Sequence, residues 1–364
     1  MAINVLIVDD SLFFQNRLAA IIDEHPQLKV IGIAGNGKQA LALTLEKKPD
    51  VITMDYEMPL MDGLKAVRKI MAQRPTPILM LSALTYEGAK LTLDALDAGA
   101  VDFMPKSFSE ISKNPQELKR KLHQRLLLIA RRRNIIPATR PESATKVALE
   151  NHYERNCEVI VPPRTFPHCS QKLNGKIKLI AMGASTGGPV ALSEILKCLP
   201  ENFSLPILLI QHMPENFTRA FAERLNSTCR IRVVLAEDGM VLRPGTAYLA
   251  PGGQQMMINP RDRTRINVFP GDDRLNYKPS VDITLASAAN TWGSSFMAMI
   301  LTGMGSDGCE GSRIVKEKGG VIWSQDQRSS VIYGMPMAVA RANLTDKVVS
   351  LNEIPEQLQK AFNY

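Results

Sequence analysis

Short apolar runs that stop abruptly at a charged or hydroxyl side chain recur along this sequence, with helix-period segments between them. In the first third they are Val5–Val8, Val30–Ala34, Val51–Asp55, Ile78–Ser82 and Ala100–Met104. Helical patterns such as Leu12–Ile22 and Gly63–Met71 lie between. Continuous apolar runs fit strands buried on both faces, and strand–helix alternation fits a parallel sheet clad by helices. The pattern stops over residues 129–175, where "NIIPATRPESATK" and "VIVPPRTFPHCSQK" show prolines and no sustained period, as in a linker. It resumes at Lys176. Strands are expected at 177–183, 206–211, 246–250, 265–269, 296–302, 320–324 and 347–350. Helices are expected at 187–198, 214–226, 281–292, 309–318 and 336–343. The expectation is α/β: two doubly wound parallel-sheet domains, 1–128 and 176–364, joined by a linker at 129–175.

Composition narrows the classes of function. No run of about 18 apolar residues exists, so no membrane span is expected. "MAINVLIVDD" has no basic region or cleavage site of a secretory leader. Cys157, Cys169, Cys198, Cys229 and Cys309 form no C-x-x-C pair, which suits a reducing cytoplasm. The net charge of +8 is spread along the chain apart from Arg131-Arg132-Arg133, read as a solvated helix end or linker. With no basic recognition helix or RNA-type aromatic motif, nucleic acid is not an expected partner.

Ligands of open parallel sheets gather at the carboxyl ends of strands. There the first domain presents Asp9 and Asp10 after "LIV", Asp55 in "VITMDYEMPLMDG", Ser82 in "PILMLSA" and Lys106 in "VDFMPK". Clustered carboxylates call for a shared cation, and hard oxygen donors favour Mg²⁺. An Asp beside Mg²⁺ is able to attack a phosphoryl donor, with Lys106 and the Ser82 hydroxyl holding the phosphoryl oxygens. This constellation resembles the response-regulator receiver domain of two-component signalling over residues 3–125. The resemblance implies a flavodoxin-like fold, phospho-acceptor Asp55 and a histidine kinase as phosphodonor. It also implies Mg²⁺ ligation by Asp9, Asp10 and Asp55 with the Glu57 carbonyl, and switch residues Ser82 and Phe103 alongside Lys106. Ser107 stands where receivers usually carry proline.

In the second domain "GASTGG", residues 183–188, places Ser185 in a glycine-rich turn between a strand and a helix. It fits the G-x-S-x-G nucleophile elbow but neither G-x-x-x-x-G-K-[ST] nor G-x-G-x-x-G. A serine nucleophile needs a base and an orienting acid. Of the five histidines only His212, in "LPILLIQHM", ends a buried strand of this domain. The acid candidates are Asp307 in "TGMGSDG", Asp282 in "SVDITL" and Asp326. Asp282 sits where a helix starts and reads as an N-terminal cap. Asp307 is favoured because its flanking glycines let the backbone approach the site, and "TGMG" offers amide N–H groups to an oxyanion. The order Ser, His, Asp is not that of α/β-hydrolases.

"GASTGG", "QHM", "TGMGSDG" and "YKPSVD" at 277–282 resemble the catalytic domain of the chemotaxis protein-glutamate methylesterase. The resemblance implies a Rossmann-like hydrolase domain that demethylates glutamyl methyl esters on chemoreceptor cytoplasmic domains, releasing methanol, and deamidates receptor glutamines. It assigns Ser185 as nucleophile, His212 as base and Asp307 as orienter, with Thr186 and Met304 lining the site, Met304 through its N–H. Ester hydrolysis needs no cofactor, and Mg²⁺ serves phosphorylation alone. It further implies that the unphosphorylated receiver covers the site. Two readings compete: a same-family esterase outside chemotaxis, and a non-catalytic scaffold. A transcriptional regulator is disfavoured, since strand signals replace a helix-turn-helix after Lys176.

Overall fold

A computed structural model describes residues 2–106, 115–131, 173–272 and 275–363. Ser107 and most of the expected linker lie outside them. The first sheet contains β1 (Ile3–Val8), β2 (Leu28–Ala34), β3 (Val51–Asp55), β4 (Ile78–Ser82) and β5 (Asp102–Pro105), in the order β2-β1-β3-β4-β5. All its pairs are parallel. This is the flavodoxin-like order, with its topological switch between β1 and β3. Val5–Val8 and Val51–Asp55 are buried, which explains their unbroken apolar character.

Helices α1 (Leu12–Asp23), α2 (Gly37–Lys47), α3 (Gly63–Gln73), α4 (Tyr86–Asp97) and α5 (Pro115–Ala130) clad this sheet. Local chemistry starts several of them. Asn36 accepts from the Lys38 and Gln39 N–H groups, Asp62 from Lys65 N–H, and Thr85 from Gly88 N–H. Helix α5 runs two residues past the expected boundary because Ile129 and Ala130 are buried.

The second sheet has seven strands in the order β14-β13-β12-β6-β7-β9-β8. They are β6 (Leu179–Ala184), β7 (Ile207–Gln211), β8 (Arg232–Leu235), β9 (Thr246–Leu249), β12 (Phe296–Ile300), β13 (Val321–Gln325) and β14 (Lys347–Val349). Every pair is parallel. The helices are α6 (Gly188–Lys197), α7 (Glu215–Thr228), α8 (Val281–Trp292), α9 (Cys309–Glu317), α10 (Met335–Arg341) and α11 (Ile354–Phe362).

Three features depart from the sequence reading. The run expected at 265–269 is β11 (Ile266–Pro270), which pairs antiparallel with β10 (Gln254–Ile258) in a separate two-stranded ribbon. Short β8 and polar-led β10 escaped notice, as did α11. Packing of the second domain starts at Leu173, which is buried and accepts from the Lys176 and Ile177 N–H groups.

The domains touch. Phe103 on β5 stacks on Phe217 of α7 with centroids 4.5 Å apart and planes within 3°. Helix α4 lies along α7. There Arg224 Nη1 meets Asp94 Oδ1 at 2.5 Å, Arg224 Nη2 pairs with Asp97, and Tyr86 donates to Glu223. Asn216 Nδ2 donates to Leu84 O at 2.7 Å. Among the described residues no helix is long and apolar enough to cross a membrane.

Candidate active site and phosphorylation site

In the second sheet β6 lies between β7, the next strand in sequence, and β12, which arrives much later. That reversal opens a crevice at the carboxyl ends of these three strands. Ser185 follows β6, His212 follows β7 and Asp307 follows β12 by a longer turn. The loops are stapled together. His212 N donates to Ala184 O at 3.1 Å, Ser185 N to Thr302 O at 3.0 Å, and buried Gln211 donates from Nε2 to Ser185 O at 2.9 Å. Gly187 makes the turn possible. Its φ is +76°, and a Cβ there would lie 2.5 Å from Val331 Cβ.

His212 Nε2 lies 2.7 Å from Asp307 Oδ2. Its Nδ1 is buried and has no hydrogen-bond partner among the described residues. The charge of Asp307 favours a proton on Nε2, which leaves Nδ1 as the basic atom. Among the described residues no hydrogen bond joins Ser185 Oγ to His212, and such catalytic contacts often tighten only around substrate. The half-buried serine sits on an adjoining loop, and among the described residues its hydroxyl has no hydrogen-bond partner. The backbone N–H groups of Thr186 and Met304 also find no acceptor among the described residues.

Asp307 is tied down by three further donors: Ser280 Oγ at 3.0 Å, Val281 N at 2.8 Å and Asp282 N at 3.0 Å. It thereby caps α8. Asp282, in the first turn of α8, does not cap its own helix. Its Oδ1 accepts from Gly308 N at 2.8 Å and Gly311 N at 2.6 Å, at the start of α9. The two acids thus cap each other's helices. Burial pushes Asp307 upward, but the His212 bond and charge and the backbone donors outweigh it and hold it at about 2. Burial, helped by the neighbouring Asp307 charge, pushes Asp282 up to about 6. Asp326 is engaged elsewhere, accepting from Ser329 N at 3.0 Å and from the Ser329 hydroxyl.

The sequence reading missed three contributors. Tyr277 stacks on His212, Gln211 joins the serine and histidine loops, and buried Gln255 holds the Tyr277–Ser280 segment. The "IQHM" and "YKPSVD" stretches hold Gln211 and Tyr277, and Gln255 lies in "GGQQMM", but an amide or a ring carries no signal until its partners are known. Thr186 lies beside Ser185 as expected, yet its hydroxyl turns to the other domain and donates to Asp102 Oδ2 at 3.1 Å. Burial pushes the Asp102 carboxyl above the ordinary range, against Arg125, whose Nη1 lies 3.1 Å away.

In the first sheet Asp9 and Asp55 are buried and Asp10 is exposed, and their carboxylate oxygens lie within 4.8 Å of one another. Lys106 Nζ bridges Asp9 Oδ2 at 2.6 Å and Asp55 Oδ2 at 2.7 Å. Burial pushes Asp55 up to about 6, against the pull of Lys106. An all-oxygen donor set with one exposed member fits a small divalent cation that keeps water ligands. The Ser82 hydroxyl turns away from this cluster toward Gly88 O and Ala83 O, each at 3.2 Å.

Comparison with known proteins decides the family. The CheB methylesterase model matches residues 180–358, and the response regulator receiver domain model matches residues 5–118. The chain belongs to the CheB methylesterase family. It is 50% identical over 362 residues to the Saccharophagus degradans protein-glutamate methylesterase/protein-glutamine glutaminase 1, covering 98% of this chain and 99% of that one. It is 52% identical over 370 residues to the Pseudomonas putida enzyme of the group 1 operon, covering 99% and 100%. The Thermotoga maritima CheB methylesterase catalytic domain is 40% identical, covering 50% of this chain and 97% of that one, with a TM-score of 0.48. This CheB-family chain places a receiver domain before a methylesterase domain.

Proposed function

We propose that this protein hydrolyses glutamyl methyl esters on the cytoplasmic domains of chemoreceptors and deamidates receptor glutamines, under control of phosphorylation at Asp55. The names of its full-length relatives support the substrate class. The observation that carries the chemistry is the His212–Asp307 pair beside Ser185, with His212 Nδ1 buried and without a hydrogen-bond partner among the described residues.

Ser185 Oγ attacks the ester carbonyl as its proton passes to His212 Nδ1. Asp307 holds the ring and stabilises the imidazolium. The Thr186 and Met304 N–H groups receive the tetrahedral oxyanion. The intermediate collapses, the C–O bond to methoxide breaks, and His212 returns the proton to give methanol. Water then attacks the acyl carbon as its proton passes to the same nitrogen, the bond to Ser185 Oγ breaks, and His212 returns the proton to Ser185 Oγ, releasing the glutamate carboxylate. With a glutamine side chain the leaving group is ammonia.

At the other site Asp55 is the carboxylate that takes the phosphoryl group from a histidine kinase, and Lys106 pairs with its oxygens. Asp9, Asp10 and Asp55 would hold Mg²⁺, which when bound supplies positive charge against the phosphoryl oxygens. The docked face explains the control. Phe103 on Phe217 and Asp102 on Thr186 tie the receiver to both flanks of the Ser185 and His212 loops. A phosphoryl group that draws Ser82 toward Asp55 and frees Phe103 to turn inward weakens that hold. The reading places the protein in the cytoplasm, with kinase and receptor tails.

The test is release of methanol from methylated receptor and of ammonia from glutamine-bearing receptor, with and without acetyl phosphate and Mg²⁺. Both products are expected to rise with phosphodonor, and Asp55→Asn to abolish the rise. Release of neither product under any condition would reject the proposal.

A further inference from the structure

Tyr277 is more than one-third exposed, yet its ring lies flat on His212, with centroids 4.2 Å apart and planes within 6°. Its segment is fixed from below. Buried Gln255 donates from Nε2 to Tyr277 O at 2.7 Å and accepts at Oε1 from Ser280 N at 2.8 Å. Ser280 Oγ in turn donates to Asp307 at 3.0 Å. One amide therefore links the strap carrying the ring to the acid that holds the imidazole. The Tyr277 hydroxyl reaches the oxyanion turn, where a Cβ on Gly305 would lie 3.0 Å from it.

We propose that Tyr277 is a positioning residue for the hydrolysis: its face holds the His212 ring against Asp307 and stabilises the imidazolium formed when Ser185 gives up its proton. The inference rests on the triad reading. An aromatic face carries partial negative charge, so it attracts the ring more once that ring is charged, and charge develops on the way to the tetrahedral intermediate. The stack also prevents the imidazole from tilting out of its bond to Asp307. Among the described residues, the charged and titratable groups around His212 include Asp307 on the β12–α9 turn, Asp282 behind it on α8 and the Tyr277 phenol, on which the charge of Arg120 from α5 acts.

The experiment uses full-length protein with saturating acetyl phosphate, Mg²⁺ and methylated receptor. Tyr277→Leu keeps apolar cover over the imidazole and removes the π face. Its kcat is expected to fall about 3- to 30-fold with KM little changed, the fold-change equivalent of a cation–π contact. The His212 titration, followed by NMR of histidine-labelled protein and assigned through His212→Gln, is expected to move down by roughly 0.4 to 1.5 pH units. Tyr277→Phe is expected to recover both losses. Wild-type kcat and an unmoved His212 titration in Tyr277→Leu would overturn the proposal. Loss that phenylalanine does not recover would overturn it too, by assigning the effect to the hydroxyl. Full hydrolysis by His212→Gln would instead reject the triad, and the inference with it.

Discussion

Reversing the charge of Arg224 should release the brake on the unphosphorylated protein. Arg224 is three-quarters buried at the side chain, while its partners Asp94 and Asp97 are 40% and 39% exposed. At such exposure each pair contributes about 0.5–1 kcal/mol after solvent screening. Arg224→Glu removes both, about 1–2 kcal/mol, and adds up to about 1 kcal/mol of repulsion, so docking weakens by about 1–3 kcal/mol. At about 1.4 kcal/mol per tenfold, undocking becomes roughly 5- to 150-fold more favourable, up to the rate of the fully released enzyme. Methanol release is measured at subsaturating receptor without phosphodonor, where blocked access shows in kcat/KM. Basal activity should rise, activity with acetyl phosphate and Mg²⁺ should hold, and Asp94→Arg with Asp97→Arg should restore the brake. Added salt should mimic the Arg224 change in part. An unchanged basal rate in Arg224→Glu would refute docking through the α4–α7 face as the source of inhibition.

Asp307→Asn should lower kcat on the order of 10³–10⁴-fold, the scale of the equivalent change in serine proteases, while Asp326→Asn leaves methanol release within a few-fold. Asp282→Ala should lower stability by about 1–2 kcal/mol through the lost α9 cap, seen as a lower urea midpoint. Asp282→Asn should keep that stability, because Asp282 is raised to about 6. The folded state then binds more protons than the unfolded chain between the ordinary carboxylate range and about pH 6, so stability falls as pH rises through that window. The amide keeps the acceptor and removes this loss. Calorimetry of Mg²⁺ binding should show affinity about tenfold weaker at pH 5 than at pH 7, because a proton competes with the cation at Asp55, itself raised to about 6.

Much of the fold was legible because both sheets are parallel and buried, so strands such as Val51–Asp55 and Phe296–Ile300 read as plain apolar runs. Strand-end chemistry then located Asp9, Asp55, Ser185 and His212, since the topology brings strand ends together. The ribbon of β10 and β11 was not legible in the same way. Gln254–Ile258 begins with two amides, and Gln255 is buried for its hydrogen bonds rather than for apolar surface. Asp282 reads in the sequence as the cap of its own helix, but it caps α9 instead, and only the packing of α8 on α9 supplies that. The Tyr277 stack and the Thr186–Asp102 contact depend on how loops and domains meet, which neither periodicity nor motif encodes.

In the proposed chemistry Ser185 forms the acyl-enzyme. The most direct test of this role is methanol release from methylated receptor by full-length Ser185→Ala, phosphorylated with acetyl phosphate and Mg²⁺, beside wild type and with folding checked by circular dichroism. Release should fall to background while the fold and phosphorylation at Asp55 persist. Methanol release at a wild-type rate from Ser185→Ala would contradict this role.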